Sequence, residues 1–141
     1  MKKIVIIGGG ASGMVAAISA KKENNEVIIL EKNNILGKKI LATGNGRCNY
    51  FNEIQDVSKY SSTTPKLLKE IISIENINMV LDFFNSLGII PKIKNGYYYP
   101  YSNKSENIKK ILEDKIKDLG IKVKYNFNIE DISYDNKFII K

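Results

Sequence analysis

Residues 4–13 read IVIIGGGASG, a β-branched apolar run that stops dead at three glycines and passes into small residues. Few local patterns restrict a fold so strongly. Residues 2–8, KKIVIIG, have the composition of a strand buried on both faces, as strands of parallel sheets are. From Ala11 onward small and apolar residues recur at helical spacing, with Ala11, Met14, Val15 and Ile18 on one side and Asn24 and Asn25 suited to the helix end. Residues 26–31, EVIILE, form a second buried-type strand. Strand, helix and strand within 31 residues make a compact βαβ unit, because parallel neighbours need a crossover connection.

The turn inside this unit matches G-x-G-x-x-G as Gly8-Gly9-Gly10-Ala11-Ser12-Gly13. The pattern alone is weak, but here it follows a strand and opens a helix, which is the context its chemistry needs. Gly8 permits the tight turn, Gly10 lets backbone approach a pyrophosphate, and Gly13 lets the helix lie close to the strand. The unpaired N–H groups and the dipole at the helix start then favour an anion. Glu31 ends the second strand, 18 residues past Gly13, where a carboxylate can accept hydrogen bonds from ribose hydroxyls and disfavours a 2′-phosphate. The three elements together point to dinucleotide binding; the competing reading is a plain βαβ start.

Residues 32–64 carry little periodicity apart from a helical turn expected near residues 38–42, and a loop of that length usually has a task. Lys32 directly follows the acid and can reach the adenosine or phosphate end. Gly37, Lys38 and Lys39 supply charge for a pyrophosphate, while Gly44 and Gly46 can bring main-chain N–H groups against a flat ring system. A chain serving nicotinamide alone would normally enter its next crossover helix directly. Arg47 could stabilise negative charge on a reduced ring or a phosphate, or form a surface ion pair. Cys48 reads as a small buried thiol, since a dithiol relay needs a second cysteine and the chain has one.

Beyond the loop, residues 64–74 and 76–88 read as two helices, with Pro65 in a first turn and Gly88 at a C-terminus. PKIK, an Asn95–Gly96 turn and YYYP read as a hairpin whose tyrosines could line a substrate pocket or, the favoured reading, cover the inserted helices. Residues 104–120 form an amphipathic helix with Ile108, Ile111, Leu112, Lys115, Ile116 and Leu119 inward, closed by Gly120. Residues 121–141 alternate and turn near Asp135–Asn136, giving two or three strands. The expected organisation of residues 1–141 is one N-terminal part of a cofactor-binding domain: a βαβ unit at 2–31, a cofactor loop at 32–52, an inserted helix/hairpin segment at 53–119 and further strands at 120–141. The last residues, FIIK, sit inside an apparent strand, so the chain is read as a piece of a longer protein that lacks its C-terminal part.

Composition removes several function classes. There is no histidine, so with a lone cysteine a Cys/His metal centre has no ligand set and no metal site is assigned. No stretch approaches the roughly 18 apolar residues of a membrane span, and the N-terminal apolar run is too short for a secretory signal, which places the chain in the cytoplasm. Lys and Arg number 22 against 15 Asp and Glu, a net charge of +7. The lysines are dispersed along helix faces rather than clustered with aromatics, which argues against a nucleic-acid surface.

At this level the residues resemble a known family. VIIGGGASGMVAAISA, LEKNNILGKKILATGNGRCNYFN, FFNSLGI, NGYYYPYSNKSENI and LGIKVKYNFNIEDI together are similar, in order, to the BaiN/RdsA-type NAD(P)/FAD-dependent oxidoreductases, some of whose members are labelled aminoacetone oxidases. The block GKKILATGNGRCN is the most specific part. The resemblance implies an α/β, Rossmann-like FAD-binding start of the glutathione-reductase type with a helical/hairpin insertion. It implies FAD in extended form, with Glu31 on the adenosine ribose and Gly10, Ala11, Ser12 and Gly13 at the pyrophosphate. The Lys39–Asn49 loop, including Thr43, Gly44, Gly46, Arg47, Cys48 and Asn49, would stand on the flavin side, and the backbone of Ile129 against the adenine. The chain departs from the family pattern at Tyr97, where members usually carry Arg in GR-x-FP-x-S.

The leading expectation is therefore an FAD-dependent oxidoreductase fragment, with the flavin carrying the redox step, NAD(P)H or an organic small molecule as electron partner, and no catalytic side chain assigned. An RNA-linked, tRNA-modifying flavoprotein and a non-catalytic βαβ interaction module are the alternatives.

Overall fold

The computed structural model describes residues 2–141, which form two compact units. One consists of the chain up to Ile40 together with Lys109–Lys141; the other is Leu41–Ile108.

In the first unit β1 (Lys2–Ile7) and β2 (Asn25–Leu30) pair in parallel, Lys2 opposite Asn25 and Ile7 opposite Leu30, with α1 (Ala11–Ala20) as the crossover. A third strand, β6 (Lys122–Lys124), adds in parallel on the far side of β2, so the order is β1-β2-β6. The central position of β2 explains its uninterrupted VIIL: each of these four side chains is buried. Met14, Ala17 and Ile18 of α1 are also buried, as are Leu112 and Ile116 of α4 (Ser105–Asp118). They occupy one stripe of each helix, as the 3.6-residue period requires.

The helix α1 ends earlier than its composition suggests. Asn24 and Asn25 lie outside it, and Lys21 is its C-cap. The cause is Asn25: its Nδ2 donates to the Ala20 carbonyl at 2.7 Å and its Oδ1 accepts from the Lys22 N–H at 2.9 Å, while its own backbone already starts β2. After β6 the chain forms a small antiparallel ladder, β7 (Ile132–Tyr134) with β8 (Phe138–Ile140), giving three strands in the stretch where two or three were expected.

The second unit holds a three-stranded antiparallel sheet of order β3-β5-β4, from β3 (Phe51–Asn52), β4 (Pro91–Lys94) and β5 (Tyr97–Pro100). The β4–β5 hairpin turns at Asn95 and Gly96, both left-handed at φ 52° and 78°, as the two-residue turn demands. Two helices, α2 (Pro65–Ile71) and α3 (Ile74–Ser86), precede it, and Pro65 opens α2 as read from sequence. Tyr98 of β5 packs edge-on against Phe51 with ring centroids 5.1 Å apart, and Tyr50 meets Phe84 of α3 at 4.8 Å. The helical turn expected near residues 38–42 is a 3-10 segment, Ile40–Gly46, broken inside by the extended backbone of Thr43. No helix of the described residues is long and apolar enough to cross a membrane.

Candidate functional site

The first unit carries a cleft of about 720 Å³ where the C-terminal ends of β1 and β2 meet the loops that follow them. Gly8, Gly9 and Gly10 form one wall, Glu31, Lys32 and Asn33 a second, Lys38 and Lys39 a third, and Phe127, Asn128 and Ile129 a fourth. Ligand crevices of open parallel sheets lie in this position, outside the carboxyl ends of the strands.

Hydrogen bonds lock these walls to one another. The Gly8 N–H donates to the Leu30 carbonyl at 2.8 Å, and the Gly37 N–H to the Gly9 carbonyl at 2.7 Å, which pins the lysine loop to the glycine turn. Glu31 donates its N–H to Lys124 and accepts the Phe127 N–H on its carbonyl, at 2.9 and 3.0 Å. Asn33 likewise accepts the Asn126 N–H at 3.2 Å, so residues 125–127 run beside residues 31–33 and carry Ile129 to the cleft.

The glycines are required by close approach. A Cβ on Gly13 would stand 1.9 Å from the Gly8 carbonyl oxygen, which is the helix-to-turn contact that its place in the motif predicts. A Cβ on Gly9 would meet Leu36 Cδ2 at 2.2 Å and Glu31 Oε2 at 3.1 Å. At Gly10, the N-cap of α1, a Cβ meets nothing within 4 Å, so this backbone is open to an approaching group. The first turn of α1 contains no acidic residue and no capping side chain competes for its N–H groups, leaving those of Ala11, Ser12 and Gly13 to an outside anion.

Glu31 is 6% exposed, and its carboxylate accepts three hydrogen bonds from backbone and neighbour. Oε2 accepts the Gly9 N–H at 2.6 Å; Oε1 accepts the Asn33 N–H at 2.7 Å and Asn33 Nδ2 at 2.6 Å. Burial pushes the carboxyl up, but the hydrogen bonds from Asn33 and Gly9 and the charge of Lys32 outweigh it and hold Glu31 below its ordinary value. The group is therefore an oriented anion at neutral pH. Lys32, Lys38 and Lys39 are exposed and none has a salt bridge among the described residues, so their charge is available to a ligand.

Of the residues singled out from sequence, Gly8, Gly10, Glu31, Lys32, Lys38, Lys39 and Ile129 line this cleft, Ala11, Ser12 and Gly13 form the adjoining helix turn, and Gly37 is buried behind the lysines. Gly9 and Asn33 were missed. Gly9 occupies a variable place in the motif, and the only signal for it is that glycine stands there at all. Asn33 offered none beyond a short polar side chain two residues after the acid.

Thr43, Gly44, Gly46, Arg47, Cys48 and Asn49 belong to the second unit. There Gly44, at φ 55°, could not carry a Cβ, which would stand 2.9 Å from the Asn49 nitrogen. Arg47 donates from Nε to the Gly44 carbonyl at 3.1 Å and lies 5.3 Å from the centre of the Tyr99 ring; it has no ion pair among the described residues. Cys48 is buried, its N–H donates to the Thr43 carbonyl at 3.0 Å, and burial raises its thiol above the ordinary value despite a hydrogen bond with Thr43. The Asn49 amide faces the carbonyls of Phe51 and Tyr98 at 2.7 and 3.2 Å, so its nitrogen is the atom placed there.

Comparison with known proteins agrees with this architecture. The sequence model of the HI0933-like protein Rossmann domain matches residues 2–141. The 3-dehydro-bile acid delta(4,6)-reductase of Clostridium scindens is 40% identical over 112 residues, which is 79% of this chain and 27% of that protein. The chain thus spans about a quarter of the length of that relative. Among solved structures, THI4 of Thermovibrio ammonificans superposes with a TM-score of 0.65 at 18% identity, over 96% of this chain and 42% of that one. The 3-ketosteroid-delta4-(5alpha)-dehydrogenase of Rhodococcus jostii gives 0.65 at 12% identity, over 99% of this chain and 42% of that one. At these identities the two structures establish the α/β fold alone, whereas the family match extends over every described residue. The chain belongs to the HI0933-like protein Rossmann domain family, the BaiN/RdsA family that its motifs resemble.

Proposed function

We propose that the chain is the FAD-binding Rossmann part of an FAD-dependent oxidoreductase, with NAD(P)H or an organic small molecule as the electron partner. The observation that carries this reading is the placement of a buried, ionised Glu31 at the end of β2, tied to the glycine turn by the Gly9 N–H and sharing one cleft with Lys32, Lys38 and Lys39, none of which has a salt bridge among the described residues. Those residues fit an adenosine diphosphate moiety. Glu31 accepts from the ribose, the open backbone at Gly10 and the N–H groups of Ala11 to Gly13 receive the pyrophosphate, and Lys38 and Lys39 offset its charge. The backbone at Ile129 borders the adenine position. When bound, the flavin supplies the hydride or electron transfer, and this chain's contribution is binding and orientation.

The relative is a reductase several times longer than this chain, which supports an enzymatic whole whose activity needs more than the matched part. The test is direct titration of the chain with ADP and with FAD by calorimetry. The expected result is saturable binding of both, with ADP competing against FAD. Absence of binding by either ligand rejects the reading.

A further inference from the structure

Glu31 accepts three hydrogen bonds from its own chain, and they are distributed unevenly. Oε1 receives two, from the Asn33 N–H at 2.7 Å and from Asn33 Nδ2 at 2.6 Å; Oε2 receives one, from the Gly9 N–H at 2.6 Å. An ionised carboxylate offers about four acceptor positions, two on each oxygen. Asn33 therefore fills both positions of Oε1, and a single position remains, on Oε2.

Asn33 is not free to leave easily. Its backbone is held on one side by its N–H to Glu31 and on the other by its carbonyl, which accepts the Asn126 N–H at 3.2 Å. Among the described residues no group besides Asn33 and the Gly9 N–H hydrogen-bonds the carboxylate. Lys32, Lys38 and Lys39 are the charged residues around the cleft and none hydrogen-bonds Glu31, while the facing wall of Phe127, Asn128 and Ile129 carries no charge.

We propose that Asn33 restricts the Glu31 carboxylate to one ligand hydroxyl, so that an adenosine diphosphate is gripped through one of its two ribose hydroxyls and not both. Asn33 is thus a specificity-determining residue that acts through Glu31. The proposal rests on the cleft being an adenosine diphosphate site.

The experiment measures the affinity of the 141-residue chain for ADP, 2′-deoxy-ADP and 3′-deoxy-ADP at fixed salt and pH 7.5, and repeats the series on Asn33→Ala and Asn33→Ser. On the unaltered chain, one deoxy analogue binds within about threefold of ADP and the other is weaker by about tenfold or more, the size expected for losing one hydrogen bond to a charged acceptor. In Asn33→Ala the vacated Oε1 position takes the second hydroxyl, so the formerly silent analogue falls by about fivefold or more relative to ADP. Asn33→Ser retains a short donor and keeps the one-hydroxyl pattern. Equal weakening of both analogues on the unaltered chain overturns the proposal, as does an Asn33→Ala profile identical to that of the unaltered chain. ADP binding that ignores both hydroxyls also overturns it while leaving the diphosphate site intact; no ADP binding at all removes the site and the proposal together.

Discussion

The backbone N–H of Gly9 donates to the carboxylate of Glu31 across 2.6 Å, joining residues 22 apart in sequence at the ends of two parallel strands. Parallel strands have no hairpin to hold their ends in register, so a charge-assisted bond of this kind fixes the mouth of the cleft directly. It also makes the stability of the first unit depend on the ionisation of one buried acid.

The sign of that dependence follows from the direction of the shift. Burial raises the Glu31 carboxyl, but its hydrogen bonds from Asn33 and Gly9 bring it below the ordinary value in the folded chain. A lowered folded value means stabilisation that is complete above the unfolded carboxyl value, roughly 4.3, and is lost as pH falls through the folded one. Glu31→Gln cannot take part in this titration, and its amide nitrogen would face the Gly9 or Asn33 donors. We expect the variant to be less stable by about 1–3 kcal/mol at pH 7. Its urea midpoint should also change less than that of the unaltered chain between pH 5 and pH 3. Parallel pH profiles for the two proteins would contradict the assignment.

Gly13 and Gly10 separate folding from binding. A methyl on Gly13 would overlap the Gly8 carbonyl oxygen at 1.9 Å, and backbone cannot yield as a flexible side-chain end can. Gly13→Ala should cost about 1–3 kcal/mol or more by forcing α1 away from the turn. Gly10 has φ −73°, which alanine adopts without strain, and open space where the methyl would point. Gly10→Ala should stay within about 1 kcal/mol in stability, the loss of a tolerable N-cap, yet weaken ADP binding because the methyl occupies the approach to the backbone. Thermal melts and calorimetric titrations on the same two variants check both halves.

The parts of this molecule that sequence discloses are those whose cause is local. The β-branched run before Gly8, the Asn95–Gly96 turn and the Ile108–Leu112–Ile116 stripe each follow from a short-range period or a left-handed turn, and each element is found where it was read, although β1, at the edge of its sheet, is exposed or half-buried along its length and not buried on both faces. What escaped depends on meetings across the chain. The helix α1 stops at Ala20 because Asn25, from the start of the next strand, takes its carbonyl. The strand β6 sits beside β2, with Ile28 opposite Lys122, a pairing that no local pattern announces. Gly9 and Asn33 orient the carboxylate because each approaches Glu31, a meeting that no local period announces. The chemistry-bearing residue was legible; the residues that orient it were not.

Cys48 provides a test in the second unit. The thiol is buried and its ionisation is disfavoured by burial, so little thiolate is present and little of it is reachable. An aromatic disulfide reagent at pH 8 should react with the folded chain on the order of tenfold or more slowly than with the chain in denaturant. Equal rates would show that the thiol is open to solvent, and a relay role for it would then need to be considered afresh.

The hairpin turn separates conformational cost from contact cost. Asn95 and Gly96 both lie in the left-handed region, and a Cβ on Gly96 would meet nothing closer than Glu53 Oε2 at 3.5 Å, an ordinary contact. Gly96→Ala therefore clashes with nothing and pays only the left-handed penalty of an L side chain, about 1–2 kcal/mol. Asn95→Gly relieves the smaller penalty borne by asparagine but loosens the unfolded chain, and the two effects nearly cancel. Urea unfolding followed by the signal of the tyrosines in β5 should place Gly96→Ala clearly below the unaltered chain and Asn95→Gly within about 0.5 kcal/mol of it. A Gly96→Ala chain as stable as the original would mean that the turn changes type to accommodate the methyl, and the register that sets Lys94 opposite Tyr97 would have to change with it.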